Sequence, residues 1–352
     1  MTRRLFAGAA VFDGERLRQG AAVVVEDGRV AAVVPEADAP EGETTRLDGG
    51  VLAPGFVDLQ VNGGGGIMLD AAAGVAGIAR ICAAHGRLGT AGLLPTLITD
   101  TAEATRAVIA AGIAAGRAGV PGFLGLHLEG PHLDPRRKGA HDPSRIRPMD
   151  AADVAALAGA GVVVSLGHSD AGLGAARAAI DAGARAVTHL FNAMSPLGHR
   201  EPGLVGAALD DGRVSAGLIA DAVHVAPEAI RIALAAKRGP GRVFLVTDAM
   251  APAGTDLAAF TLGGRRILRA DGRLTLEDGT LAGADCDMPH CLRFLTGAGV
   301  GLAEALAMAT ATPADVIGRR DAARLAPGAR ADMVHLGAGL RLSGVWRGGE
   351  RL

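Results

Sequence analysis

The 352-residue sequence contains no tyrosine, one tryptophan and eight phenylalanines, so aromatics make up only 3%. Without a phenol, any proton transfer falls to His, Asp, Glu, Lys or Cys, and a phenolic oxyanion donor is excluded. A broad aromatic platform for stacking a sugar is excluded as well. Cysteine is also scarce. Cys82, Cys286 and Cys291 are too few, and odd in number, for a disulfide framework, which suits a reducing, cytoplasmic setting. No apolar run reaches the roughly 18 residues of a membrane helix, and the opening MTRRLFAGAAVFDGERL lacks the apolar stretch of a signal peptide. Charge is balanced, 35 Lys and Arg against 37 Asp and Glu, so neither a nucleic-acid partner nor a membrane surface is expected.

What is abundant is small: 53 glycines and a great deal of alanine. The first fifty residues read as short strands broken by Asp-Gly and Gln-Gly turns. The closing segment ADMVHLGAGLRLSGVWRGGERL has the same rhythm. Small isolated sheets are marginal, so residues 1–53 and 329–352 are expected to pair into one split β-sandwich domain. Between them, apolar runs such as GFVDLQV, AGLLPTLI, GFLGLHL, GVVVSLGH, RAVTHLF, VSAGLIA and RVFLVTD alternate with Ala-rich helical segments. Strands alternating with helices build parallel βαβ units, and seven or eight in series suggest a (β/α)8, TIM-like barrel over 54–328. Residues 258–281, with two Gly turns, read as a hairpin excursion from it. The run Gly63–Gly66 opens no phosphate-binding helix, which argues against a doubly wound nucleotide fold.

Seven of the ten histidines lie between His127 and His224. His168 ends VVVSLGH, His189 ends AVTH, Asp248 ends VFLVTD, and Glu129 follows GFLGLHL. A parallel barrel delivers the C-terminal ends of its strands to one face, so these four groups are expected to converge there. Two imidazoles and a carboxylate with open positions suit a catalytic divalent metal such as Zn²⁺. The group Asp285, Cys286, Asp287, His290 and Cys291 contains metal-ligating types but matches no standard zinc spacing. It reads instead as a helix start with packed cysteines.

Seven runs carry a resemblance: LAPGFVDLQVNGGGG, LEGPHLDPRRKGAH, LGHSDA, THLFNAMSPLGHREPG, IADAVHV, VTDAMAPAG and TLAGAD. Their series resembles that of the N-acetylglucosamine-6-phosphate deacetylases of the amidohydrolase superfamily, from about residue 50 to the end of the chain. The resemblance implies a metal held by Glu129, His168 and His189, with Asp248 as proton shuttle. It places His141 and His224 on the N-acetyl sugar, Ala140, Asn192, Ala193, Leu281, Ala282 and Gly283 along the substrate, and Arg200 on its phosphate. Family members are often dimers with phosphate contacts crossing the interface, so a homodimer is expected. The superfamily's usual His-x-His of the first barrel strand reads Gln60-Val61-Asn62, which removes two ligands for a second ion and implies one metal per subunit, Zn²⁺ or Fe²⁺. Ala284 stands where deacetylases more commonly carry Ser, and His132 where relatives are often aromatic.

The activity implied is hydrolysis of N-acetylglucosamine 6-phosphate to glucosamine 6-phosphate and acetate. The galactosamine epimer is the near alternative, because one hydroxyl is read by pocket geometry alone. A dihydroorotase-like enzyme would need the His-x-His and a bridging carbamylated Lys, neither of which stands at the matching positions. A non-catalytic sugar-phosphate binder would have no use for a proton shuttle.

Overall fold

A computed structural model describes residues 3–352. Strands from the two chain ends form two sheets. One has the order Arg29–Pro35, Ala21–Glu26, Arg3–Ala7, Glu43–Arg46; the other runs Glu350–Arg351, Leu342–Arg347, Met333–Leu336, Val51–Pro54, Ala10–Phe12, Leu17–Arg18. The ends meet where Val51–Pro54 lies antiparallel to Met333–Leu336, with Leu336 opposite Val51 and Met333 opposite Pro54. Gly50 permits that junction: its φ is +70°, and a Cβ there would stand 2.1 Å from the Leu336 carbonyl oxygen. Both sheets contribute to one apolar layer, Phe6, Val23 and Val25 from the first and Val11, Leu52 and Met333 from the second. The single tryptophan, Trp346, closes that layer edge-on against Phe6 at 5.3 Å, in a geometry favoured by the ring quadrupoles.

The middle of the chain alternates strand and helix as its pattern predicts. Phe56–Val61, Thr90–Ile98 and His127–Glu129 form one parallel arc, and Ser165–Leu166, Ala186–Val187, Ser215–Leu218 and Val243–Leu245 form another. A single parallel bridge, Val61 to Ala249, connects the arcs, and another, Ala249 to Ala284, ties the second arc to the strand Leu281–Ala284. The closed ring of strands that the sequence suggests is therefore only partly drawn: among the described residues no ladder joins His127–Glu129 to Ser165–Leu166. The strands flanking that gap are three and two residues long, and such short strands have few backbone groups with which to pair.

Phe56–Val61 is buried at every position, as a strand covered on both faces must be, yet it carries Asp58 and Gln60. Each buried polar group needs a partner, and Asp58 accepts from the Thr247 hydroxyl at 2.5 Å. The excursion is larger than one hairpin. Ala259–Leu262, Arg265–Ala270, Arg273–Leu276 and Leu281–Ala284 form a four-stranded antiparallel sheet. Leu262, Ile267, Leu274 and Ala282 from that sheet pack on Met250. No helix among the described residues is long and apolar enough to cross a membrane.

Candidate functional site

The two arcs aim the ends of their strands at one mouth. Glu129 is the last residue of His127–Glu129, and His168, His189 and Asp248 follow the ends of Ser165–Leu166, Ala186–Val187 and Val243–Leu245 by two or three positions. All three of the latter have left-handed backbone, φ 44°, 22° and 53°. Such angles are uncommon outside glycine and are held by surrounding structure, which is typical of functional positions.

One donor atom each from Glu129, His168 and His189 falls within 4.8 Å of the others, and all three residues are buried. Glu129 Oε1 lies 3.2 Å from both His168 Nε2 and His189 Nε2, and the two ring nitrogens are 3.0 Å apart. The His168 Nδ1–H donates to the Arg137 carbonyl at 2.7 Å, which in a neutral ring turns the Nε2 lone pair inward. Lone pairs converging at this spacing repel unless a cation sits among them. Donors sharing an ion at about 2.0–2.2 Å stand roughly 3 to 3.5 Å apart, so the set fits a divalent metal. Electrostatics agree: against the opposing pull of burial, the hydrogen bond and charge of Glu129 raise the His168 pKa. The Glu129 carboxyl, despite burial, is held well below its ordinary range by those imidazoles. His189 Nδ1 is buried without a partner.

Asp248 faces the same cavity, which measures about 390 Å³. Burial first, and then the Glu129 charge, push its pKa up to about 6. Two carboxylates of one site are thus driven apart, one to stay ionised and one poised to exchange a proton near neutrality. His141 Nδ1 accepts from the Thr99 amide at 3.3 Å and from its hydroxyl at 2.8 Å, so its proton is on Nε2. Burial lowers its pKa to about 4, which leaves a neutral donor. The His224 Nδ1–H donates to Asp221 at 2.6 Å; against burial, that bond and charge hold His224 above its ordinary pKa.

Of the residues singled out in the sequence, Glu129, Ala140, His141, His168, His189, Asn192, Ala193, His224, Asp248, Leu281 and Gly283 line the cavity. Ala282 does not: it is buried in the apolar layer beneath the excursion sheet, because alternate residues of a strand face opposite sides. Arg200 is exposed and lies outside the lining of its own chain. The cavity instead presents Arg136 and Arg137, Gly139, Thr280 and Asn62, none of them singled out as substrate contacts. A visible signal for the arginines was their pairing inside LEGPHLDPRRKGAH. Neither is a free cation, since both contact Asp170, at 2.9 and 2.7 Å, and Arg136 also contacts Asp134.

A larger cavity, about 490 Å³, lies on the other side of Met250 and is lined by Asp285, Cys286 and His290 among others. Among the described residues it brings no metal-ligand set together. Asp287 caps the helix Met288–Gly297 by accepting from the His290 amide at 2.7 Å. Cys286 and Cys291 flank that cap with sulfurs 3.8 Å apart, packed across the helix start as expected.

Comparison with known proteins agrees with this geometry. Residues 148–351 match the amidohydrolase family. An N-acetylgalactosamine-6-phosphate deacetylase from Shewanella sp. (strain ANA-3) is 36% identical, the match covering 98% of this chain and 95% of that protein. The Homo sapiens N-acetylglucosamine-6-phosphate deacetylase is 36% identical over 86% of this chain and 83% of its own. The crystal structure of the N-acetylglucosamine-6-phosphate deacetylase from Pasteurella multocida superposes with a TM-score of 0.94 at 30% identity, covering 99% of both chains. A Mycobacterium smegmatis variant in complex with N-acetyl-D-glucosamine-6-phosphate gives 0.91 at 34%, covering 100% of this chain and 99% of its own. The chain belongs to the amidohydrolase family, in its N-acetylglucosamine-6-phosphate deacetylase branch.

Proposed function

We propose that the protein hydrolyses the acetamide of N-acetylglucosamine 6-phosphate to glucosamine 6-phosphate and acetate. The observation that carries the reading is the meeting, in one cavity, of the Glu129–His168–His189 donor set with a buried carboxyl whose pKa is about 6. A divalent ion held by those three residues, Zn²⁺ as the best chemical fit and one per subunit, would polarise the acetyl carbonyl and make water more acidic. Asp248 takes the proton of the attacking water and returns it to the departing amine. His141 Nε2–H is the protein donor for the developing oxyanion. His224, fixed by Asp221, reaches the sugar, and Ala140, Asn192, Ala193, Leu281 and Gly283 shape the rest of its bed, with Ala282 supporting it from behind.

We further assign residues 54–328 to a (β/α)8 barrel and 1–53 with 329–352 to a split β-sandwich, the reading supported by the antiparallel pairing of the two chain ends. Arg200, exposed and outside its own cavity, is assigned to the phosphate of a second copy, in a homodimer; a planar guanidinium suits bidentate phosphate binding. A cytoplasmic setting fits the three free cysteines. The test is acetate release from several N-acetyl sugars, with and without 6-phosphate, after chelation and after return of metal. Release confined to 6-phosphorylated substrates and dependent on metal supports the reading, and the galactosamine epimer run in parallel sets the preference. Sugar-phosphate binding with no acetate released, metal supplied, overturns it in favour of a non-catalytic binder.

A further inference from the structure

Gln60 and Asn62 stand where the superfamily usually holds a second pair of metal ligands, and both are enclosed, at 0% and 2% exposure. As residues i and i+2 of a strand end they face the same way, toward the site. Gln60 is satisfied at both ends: its Nε2 donates to Glu129 Oε1 at 2.8 Å, and its Oε1 accepts from the Thr188 hydroxyl. Asn62 is not. Its Nδ2 donates to Asp248 Oδ1 at 2.6 Å, while its own Oδ1 is buried with no partner. Turning the amide over would press that oxygen against the Asp248 carboxylate, so the orientation is fixed by charge. A buried acceptor left unpaired is destabilising, and an apolar side chain of similar size would not carry it. What keeps an amide here is therefore its donor end.

We infer that this pair has become an amide clamp in place of a second metal site, with divided tasks. Gln60 positions Glu129 for the ion. Asn62 positions Asp248: a donor on Oδ1 fixes a carboxylate whose rotation is otherwise broad and leaves its other oxygen for proton exchange. An amide suits this task because it does not titrate. A histidine at the same place would compete for the proton that Asp248 must hold between the attack of water and the departure of the amine. The Asn62 half rests on the activity proposed above; the Gln60 half does not.

The experiment uses the full-length protein loaded with Zn²⁺, comparing Asn62→Leu, Asn62→Ser and Gln60→Leu with the wild type. Measurements are thermal melting, the zinc dissociation constant by chelator competition, and kcat and KM for acetate release from N-acetylglucosamine 6-phosphate. For Asn62→Leu we expect kcat to fall by roughly 10- to 100-fold, the worth of a hydrogen bond to a charged group, with KM within about threefold and zinc affinity unchanged. Asn62→Ser, which keeps a non-titrating donor, should recover part of the loss and serves as the reporter if the leucine variant folds poorly. For Gln60→Leu we expect zinc affinity to fall about 10- to 100-fold. Wild-type kcat in both Asn62 variants, or a loss matched by lost zinc, overturns the Asn62 assignment; unchanged zinc affinity in Gln60→Leu overturns the other. If the wild type itself releases no acetate, the proposed activity fails and the Asn62 assignment with it, while the zinc titration still decides Gln60.

Discussion

Asp58 gives the molecule a stability that depends on pH in a direction opposite to most carboxylates. It is fully buried, and burial pushes its pKa from 3.8 up to about 7, against the lowering effect of donors from Thr247 and Gln60. A carboxyl whose folded pKa is raised favours folding below its unfolded pKa, and that contribution is lost as pH rises toward the folded value. A shift of about three units is worth about 4 kcal/mol in all, of which about 3 kcal/mol is lost between about pH 5 and about pH 8. Asp58→Asn removes the titration and keeps the contacts, since the amide oxygen can accept from the backbone N–H groups of Gln60 and Thr247 and its NH₂ can donate to the Thr247 hydroxyl. The stability of the variant relative to wild type should therefore rise by roughly 3 kcal/mol between about pH 5 and about pH 8. Denaturant unfolding of both proteins at the two pH values, with matched metal content, measures the difference. A stability difference that stays constant with pH, or that shrinks as pH rises, would refute the reasoning.

Three other outcomes follow from the site. Asp248→Asn keeps the shape of the side chain and leaves the three metal donors untouched, so metal content should hold while kcat falls about 10²- to 10⁴-fold; turnover within tenfold of wild type removes Asp248 as the shuttle. Arg200→Ala should raise KM for 6-phosphorylated substrates and leave unphosphorylated ones unaffected, and equal weakening of both ends the phosphate assignment. Chelation should abolish acetate release, and elemental analysis of the restored protein should give one metal equivalent per chain; two equivalents, both required, would contradict the reading of Gln60 and Asn62.

The four charged groups at strand ends were legible because a local fact, the last position of an apolar run, maps onto a global one, the shared face of parallel strands. Glu129, His168, His189 and Asp248 needed no knowledge of distant contacts. Gln60 and Asn62 were legible only as missing ligands, because what they hold lies 69 and 186 positions away, and sequence spacing says nothing about such partners. Ala282 was misplaced for a subtler reason: matching a run of residues ignores that neighbours on a strand face opposite sides. Arg200 is exposed and lies outside the lining of its own chain's cavity, a placement that its run of residues does not signal. The excursion, expected as a hairpin with two Gly turns, has four strands because Asp278–Gly279 makes a third turn and brings Leu281–Ala284 into the sheet. Ring closure was least legible, since pairing among strands of two or three residues leaves little pattern to read.

The left-handed backbone at His168, His189 and Asp248 has a consequence for anyone who would engineer this protein. Each of those residues sits in a conformation that costs a non-glycine side chain on the order of 1–3 kcal/mol. Selection for heat tolerance alone would favour glycine or asparagine at the same three Cα atoms. The sturdier chain so obtained would have lost the proposed metal donors and the proposed shuttle together. In this molecule robustness and turnover compete residue for residue, so thermostable variants that remain active must gain their margin elsewhere, far from the mouth of the strands.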